Sequence, residues 1–272
     1  MVNRLAVHQS LVHPLEPLQL IDLLHASGWD SMGLHIGAVT ETEHWWEGGA
    51  GEHLLLATIE RLLETRITML DVGRVVLAPP LNRDDFHRAH GRVLEFGGRL
   101  GAQFVTARFP SPTGSDGPQQ AVRRDLFARL ADQARPYRLR PLLASVPADR
   151  PDLIEDAVGV VAPTGGGVVL DVPVEGIAPE VVAEAVVDLW EHLGYVRVNA
   201  RALEKVGEAA SGQLAELPPH VPVVLGGDDG LGLLDRDRFE RLVRLRTLVD
   251  RMLEHPFARA AREARDHAVD PA

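Results

Sequence analysis

Eleven polar side chains stand at or just beyond the ends of apolar, strand-like runs: His8, His35, Asp71, Arg74, Arg108, Ser145, Asp171, Glu175, Arg197, Asn199 and Asp228. Their types define a narrow chemistry. An arginine offers a fixed positive charge and a planar donor fork for a carboxylate, enolate or phosphate oxygen. A histidine or aspartate beside it can carry a proton. Asp171 ends the run GVVLDV (167–172), where a carboxylate is costly unless something pairs with it. Arg197, in the next strand-like run, is the partner at hand. The two read either as a buried ion pair closing a sheet or as the centre of a site. His8 and His35 read as catalytic proton carriers or as rim histidines bonded to loop carbonyls. Arg108, Arg74, Asn199, Ser145 and Glu175 are candidates for substrate binding, with Asp71 and Arg74 alternatively bracing a loop. Trp45 and Trp46, adjacent in the polar stretch TETEHWWEGG, read equally as a lid over an apolar substrate or as a subunit contact.

Composition removes other chemistries. There is no cysteine, so thiolate nucleophiles, disulfides and cysteine metal sites are excluded. Twenty-seven arginines accompany a single lysine, Lys205, which lies outside the strand-like runs and is a poor imine former. No Gly-x-Ser-x-Gly elbow is present. The run HRAH (87–90) has helical i, i+3 spacing, a weak metal signal expected to face solvent. A formal charge of −11 opposes nucleic-acid binding, which needs a basic face. No apolar run approaches the roughly 20 residues of a membrane span, and the start lacks a leader-like apolar stretch, so a cytoplasmic protein without membrane partners is expected.

The elements that must position these groups alternate. Strand-like runs occupy 4–9, 31–37, 68–78, 103–109, 140–146, 167–172, 195–200 and 221–226. Helical periodicity fills 15–27, 52–65, 83–100, 119–134, 179–193 and 236–254, with Asp235 or Asp237 as caps of the last. Alternation means parallel βαβ units. Eight of them fit an α/β fold of the closed (β/α)8 TIM-barrel type better than an open sheet, because no glycine-rich turn follows the first strand. A single domain, 1–272, is expected, with a short helical tail over about 256–272. In a barrel the eleven polar groups gather at one mouth.

The run PLQLIDLLHASGWDSMGLHIG (17–37) resembles the opening of the sugar phosphate isomerase/epimerase family, the xylose-isomerase-like TIM barrels. ITMLDVGRVVLAPPLNRDDF is similar to that family's third strand and loop, GRLGAQFV to the entry of strand four, LASVP to the end of strand five and VVLDVPVEG to the end of strand six. The resemblance spans most of residues 15–200 and implies the same barrel. It also implies a divalent ion held by two glutamates, an aspartate and a histidine or glutamine. Laid on this chain, those positions fall on Ala144 or Ser145, Asp171, Val174, the neighbourhood of Arg197, and Gly226. Only Asp171 is a ligand type. One carboxylate beside a guanidinium is a poor cation site.

The reading that follows is a metal-independent isomerase, epimerase or lyase-type enzyme, in secondary metabolism, acting by proton transfer on a small hydroxycarbonyl or acidic metabolite. Asp171, Arg197, His35 and His8 are its catalytic candidates, no cofactor is expected, and a homodimer is the expected assembly. A phosphosugar is disfavoured by the paired Asp228 and Asp229 after strand eight. Two alternatives stay open. One is a Mn, Mg, Co or Zn enzyme drawing on Glu175, Asp228, His35 and Asp171; the other is a barrel that binds without catalysis.

Overall fold

Strands with apolar residues on both faces need cover on both sides, and here each is followed by an amphipathic helix that supplies it. The protein, seen as a computed structural model, is described over residues 4–12, 15–36, 48–78, 83–110, 120–227 and 235–254. Its strands are β1 (Leu5–His8), β2 (Ser31–Leu34), β3 (Thr68–Val76), β4 (Phe104–Arg108), β5 (Arg140–Pro147), β6 (Gly167–Val172), β7 (Leu193–Asn199) and β8 (Val223–Gly226). The helices are α1 (Pro17–Ala26), α2 (Gly48–Thr65), α3 (Arg83–Arg99), α4 (Gln120–Ala134), α5 (Pro151–Val161), α6 (Pro179–Asp188), α7 (Ala200–Val206) and α8 (Asp235–Met252). All strand pairs are parallel, and β1 pairs with both β2 and β8, which closes the barrel. Among the described residues no helix is long and apolar enough to cross a membrane.

Local signals set the helix starts. Proline occupies the first turn of α1, α5 and α6, where its missing N–H costs nothing. In α1, Glu16 and Gln19 form a reciprocal capping box. Two expected boundaries are corrected. The helix expected over 179–193 stops at Asp188, and Leu193 already belongs to β7. Leu189 and Leu193 keep helical spacing, but Leu193 pairs with Val168 of β6. Asp235 and Asp237 lie inside the first turn of α8 rather than capping it, a turn whose positive dipole end favours acidic residues. The tail expected over 256–272 and the residues Trp45, Trp46 and Asp228 lie outside the described residues.

The barrel interior is a small apolar layer of Ala6, Leu70, Phe104, Leu142, Val169, Tyr195 and Val224. The larger core lies between strands and helices, with Phe127, Ile21, Leu24 and Leu130 fully buried. Interior packing is tight enough that a β-carbon at Gly194 collides with Leu142 Cδ1. Gly194→Ala is therefore expected to cost about 1–3 kcal/mol of stability, read as a lower urea midpoint with an unchanged slope.

Irregularities in the strands matter for the site. The pairing of β3 with β4 shifts register between Val72 and Val75, around Gly73 with φ +82°. The β5–β6 pairing shifts between Leu143 and Val146, where Ser145 takes φ +68°. A left-handed serine in a strand is uncommon, and bulges of this kind re-aim side chains near barrel rims.

Candidate active site

A cavity of about 320 Å³ opens at the C-terminal ends of the strands. Its wall includes His8, His35, Asp71, Thr106, Asp171, Tyr195, Arg197 and Asn199. The strand registers explain the gathering. His8 pairs with Gly33 and Gly33 with Asp71 across β1, β2 and β3. Asp171 pairs with Arg197 across β6 and β7, and Asn199 with Gly226 across β7 and β8.

Arg197 is held in a fixed pose. Its Nε donates to Asp171 Oδ1 at 2.7 Å, and its Nη2 donates to Asp171 Oδ2 at 2.7 Å. Nη2 also donates to Ser145 Oγ at 2.9 Å, so the bulge in β5 presents the hydroxyl that steadies the fork. The other side of the arm is shaped by Gly226, where a β-carbon would sit 3.2 Å from Arg197 Cδ. The arginine stem runs through space that a side chain at position 226 would claim. Both readings of the pair are thus realised together: Asp171 and Arg197 form a bidentate bridge between neighbouring strands, and both face the cavity.

That arrangement bears on the implied divalent ion. Ala144 and Gly226 line the cavity but offer no side-chain donor, and both Asp171 oxygens are engaged by a guanidinium. Among the described residues no cluster of three or more His, Cys, Asp or Glu side chains is placed to hold a metal. Among the described residues the donor set does not fit a divalent cation. Of the alternative set, Glu175 is exposed and bound to Lys205 Nζ at 2.7 and 2.8 Å, and Asp228 lies outside the described residues.

On the opposite wall His8 and His35 pack edge to face, ring centres 4.5 Å apart. His8 Nδ1 is held by Ser10, 3.2 Å from its backbone N and 2.8 Å from its Oγ. In the tautomer that donates Nδ1–H to Oγ, the shorter contact, Nε2 keeps the lone pair that can take a proton. Buried Gln9 ties the two histidine-bearing segments together: its Oε1 accepts from the His35 N–H at 3.1 Å, and its Nε2 donates to Leu15 O at 3.0 Å.

Deeper in the barrel, Asp71 is only 1% exposed. Its Oδ2 lies 3.1 Å from Thr106 Oγ1 and 3.3 Å from the Tyr195 hydroxyl. Its Oδ1 is buried with no hydrogen-bond partner among the described residues. Desolvation pushes the Asp71 carboxyl well above the ordinary aspartate range, against the opposing pull of Thr106, Tyr195 and Arg197. Burial raises the Tyr195 phenol in the same way.

Of the residues read from sequence, the structure gathers His8, His35, Asp171, Arg197 and Asn199 on the cavity and places Ser145 behind Arg197. Asn199 has a second task, since its Oδ1 caps α7 by accepting from the Ala202 N–H at 3.0 Å. Three expectations are corrected. Glu175 belongs to a surface ion pair, because the chain turns outward after Pro173 and reverses at Gly176 with φ +76°. Arg108 is exposed and lies off the cavity wall. His90 is buried rather than solvent-facing. Asp71 and Arg74 both lie within β3; Asp71 reaches the cavity wall, and the Arg74 side chain is outside the described residues. Tyr195, Thr106 and Gln9 were not singled out. Period-two alternation carries the signal for the first, since Tyr195, Arg197 and Asn199 share one face of β7 and all line the cavity.

Comparison with protein-family models and with curated protein sequences finds no match. Solved structures do match over nearly the whole chain. A xylose isomerase domain containing protein from Salmonella typhimurium LT2 is 12% identical, with a TM-score of 0.61, covering 93% of this chain and 98% of its own. The IOLI protein, solved with a zinc atom, is 14% identical with a TM-score of 0.62, covering 92% and 98%. A D-allulose 3-epimerase from Methylomonas sp. is 13% identical with a TM-score of 0.65, covering 93% and 98%. The fold is a closed (β/α)8 barrel of the xylose-isomerase-like kind, as the sequence resemblance implied.

Proposed function

We propose that this barrel is an enzyme that moves a proton on a small hydroxycarbonyl or acidic metabolite, by isomerisation, epimerisation or dehydration, without a divalent metal. The observation that carries the reading is Arg197, forked onto Asp171 at the cavity wall where the family resemblance implies a cation. An oriented guanidinium stabilises an oxygen as it gains charge, which is the service a metal would otherwise supply. His8 or His35 takes the proton from the carbon next to the carbonyl, and the C–H electron pair moves into an enolate whose oxygen faces Arg197. Return of the proton to the other face gives an epimer, and return to the neighbouring carbon gives an isomer. Loss of a β-hydroxyl as water gives the dehydrated product.

The charge balance of the wall supports an uncharged or singly charged substrate. Arg197 is neutralised by Asp171, and Asp149 adds a negative group to the same wall. A dianionic phosphate gains little there. The reading is tested by metal analysis of the purified protein, together with uptake of deuterium from D2O into C–H positions of hydroxyaldehydes, hydroxyketones and hydroxy acids, with and without a chelator. Exchange that survives chelation, in protein free of bound metal, is the expected outcome. Stoichiometric Mn, Co or Zn with exchange lost on chelation overturns the metal-free part. No exchange with any member of the panel overturns the proton-transfer part.

A further inference from the structure

Asp71 and Tyr195 are buried ionisable groups on the cavity wall that the mechanism above does not use. We propose that they form a second oxygen-binding site at the floor of the cavity, in which the Asp71 carboxylic acid donates to Tyr195 and Tyr195 turns its own O–H toward a substrate oxygen. The proposal rests on the proton-transfer reading and adds to it a second polarising group and a substrate shape.

The hydrogen-bond geometry admits this direction of donation. Thr106 Oγ1 has one proton and two acceptors in reach, Gly73 O at 3.0 Å and Asp71 Oδ2 at 3.1 Å. Thr106 therefore donates and takes no hydrogen from the acid, so a proton on Oδ2 has the Tyr195 oxygen, 3.3 Å away, as its acceptor. Donation from the acid releases the phenol proton to point elsewhere, and Tyr195 lines the cavity. Chains of this kind reinforce each other in a low dielectric. An ionised Asp71 would instead leave a buried charge with Oδ1 unsatisfied among the described residues, the costlier state. Among the described residues the charged and titratable groups around the pair are Arg197 on β7 and Asp171 on β6, bonded to each other, with His8, His35 and Asp149 along the same wall. The direction of the Asp71 shift agrees with a neutral acid. An apolar site can keep an aspartic acid neutral at pH 7 so that it donates a hydrogen bond.

Tyr195 and Arg197 are separated by one residue on β7, so their anchors lie about 6.5 Å apart along the strand. Two oxygen-binding groups at that separation fit a short chain of roughly three to five carbons with oxygen at both ends, fully inserted.

The test separates this inference from the function it rests on. Infrared difference spectra between wild type and Asp71→Asn at neutral pH are expected to show the carbonyl band of an un-ionised carboxylic acid, a readout that needs no substrate. Thermal melts give a second one. With its folded pKa raised, Asp71 binds its proton more tightly in the native state, so wild-type stability is greatest below the ordinary value of 3.8 and falls as pH rises above it. Asp71→Asn carries no such proton, so its melting temperature relative to wild type is expected to climb as pH is raised from about 4 toward 8. Tyr195→Phe should lower deuterium exchange about a hundredfold in a protein that stays folded but melts lower, because the buried Asp71 acid loses its acceptor. An ionised Asp71 in the infrared, a pH-independent melting difference, or wild-type exchange by Tyr195→Phe each overturns the proposal. An inactive wild type that still shows the acid band overturns the function and leaves the neutral acid standing.

Discussion

Arg197→Met is expected to abolish measurable exchange, a loss of at least about a thousandfold, because it removes the fixed charge that faces the developing enolate oxygen. Lysine should rescue little, since an ammonium cannot fork onto both Asp171 oxygens and Ser145 while facing the cavity. The variant also leaves Asp171 without its bridge. Both side chains are about a quarter exposed, 24% and 26%, so water recovers part of the lost solvation and the fold should lose only about 1–2 kcal/mol. The discriminating protein is the double variant Arg197→Met with Asp171→Leu. It removes the charges together and restores an apolar contact between β6 and β7, so it should melt near wild type and remain inactive. Substantial exchange in that protein would mean the pair only closes the sheet. Asp171→Asn alone should keep most of the stability but lower the rate, because the arginine then has a weaker orienting partner.

The barrel was legible because it rests on local pattern. Alternating apolar runs, prolines at helix starts and the GVVLDV strand, whose bounds of 167–172 match β6, are written in consecutive residues. The Asp171–Arg197 contact was legible for a related reason: both sit at the ends of sequential strands, and sequential strands are neighbours in this fold. The floor of the site was not. Asp71 and Tyr195 are 124 residues apart, and their contact across the interior exists only once β1 has paired with β8. An aromatic residue in a β-branched run reads as core, and Tyr195 is core as well as cavity wall. The bulges at Gly73 and Ser145 break the period-two pattern where the polar groups begin, so parity counted from sequence fails there. Glu175 illustrates the opposite error. It follows the strand closely enough to read as a rim residue, but two positions beyond Pro173 the chain has already left the barrel mouth for Lys205.

The other large effect is expected from the smallest substitution near the site. Gly33 on β2 pairs with His8, and a β-carbon there would lie 2.6 Å from His8 Cδ2 and 3.5 Å from Nε2. One of the two must move. The ring is gripped at Nδ1 by Ser10 and backed by the edge-to-face contact with His35, so displacement breaks one of these or both. Gly33→Ala should therefore act as a histidine variant without touching a histidine. Exchange falls by about a hundredfold, the low end of what losing a general base costs, and the fold loses about 1–3 kcal/mol to overpacking. His8→Ala should lose about 10²–10⁴-fold with little strain. Combining the two tests whether the effects share a cause. The methyl group added at position 33 then occupies space vacated by the imidazole, so the double variant should recover the stability lost by Gly33→Ala and be no slower than His8→Ala alone. Additive losses in both rate and stability would show that Gly33 acts on something other than His8, and normal exchange by His8→Ala would pass the proton-carrying role to His35.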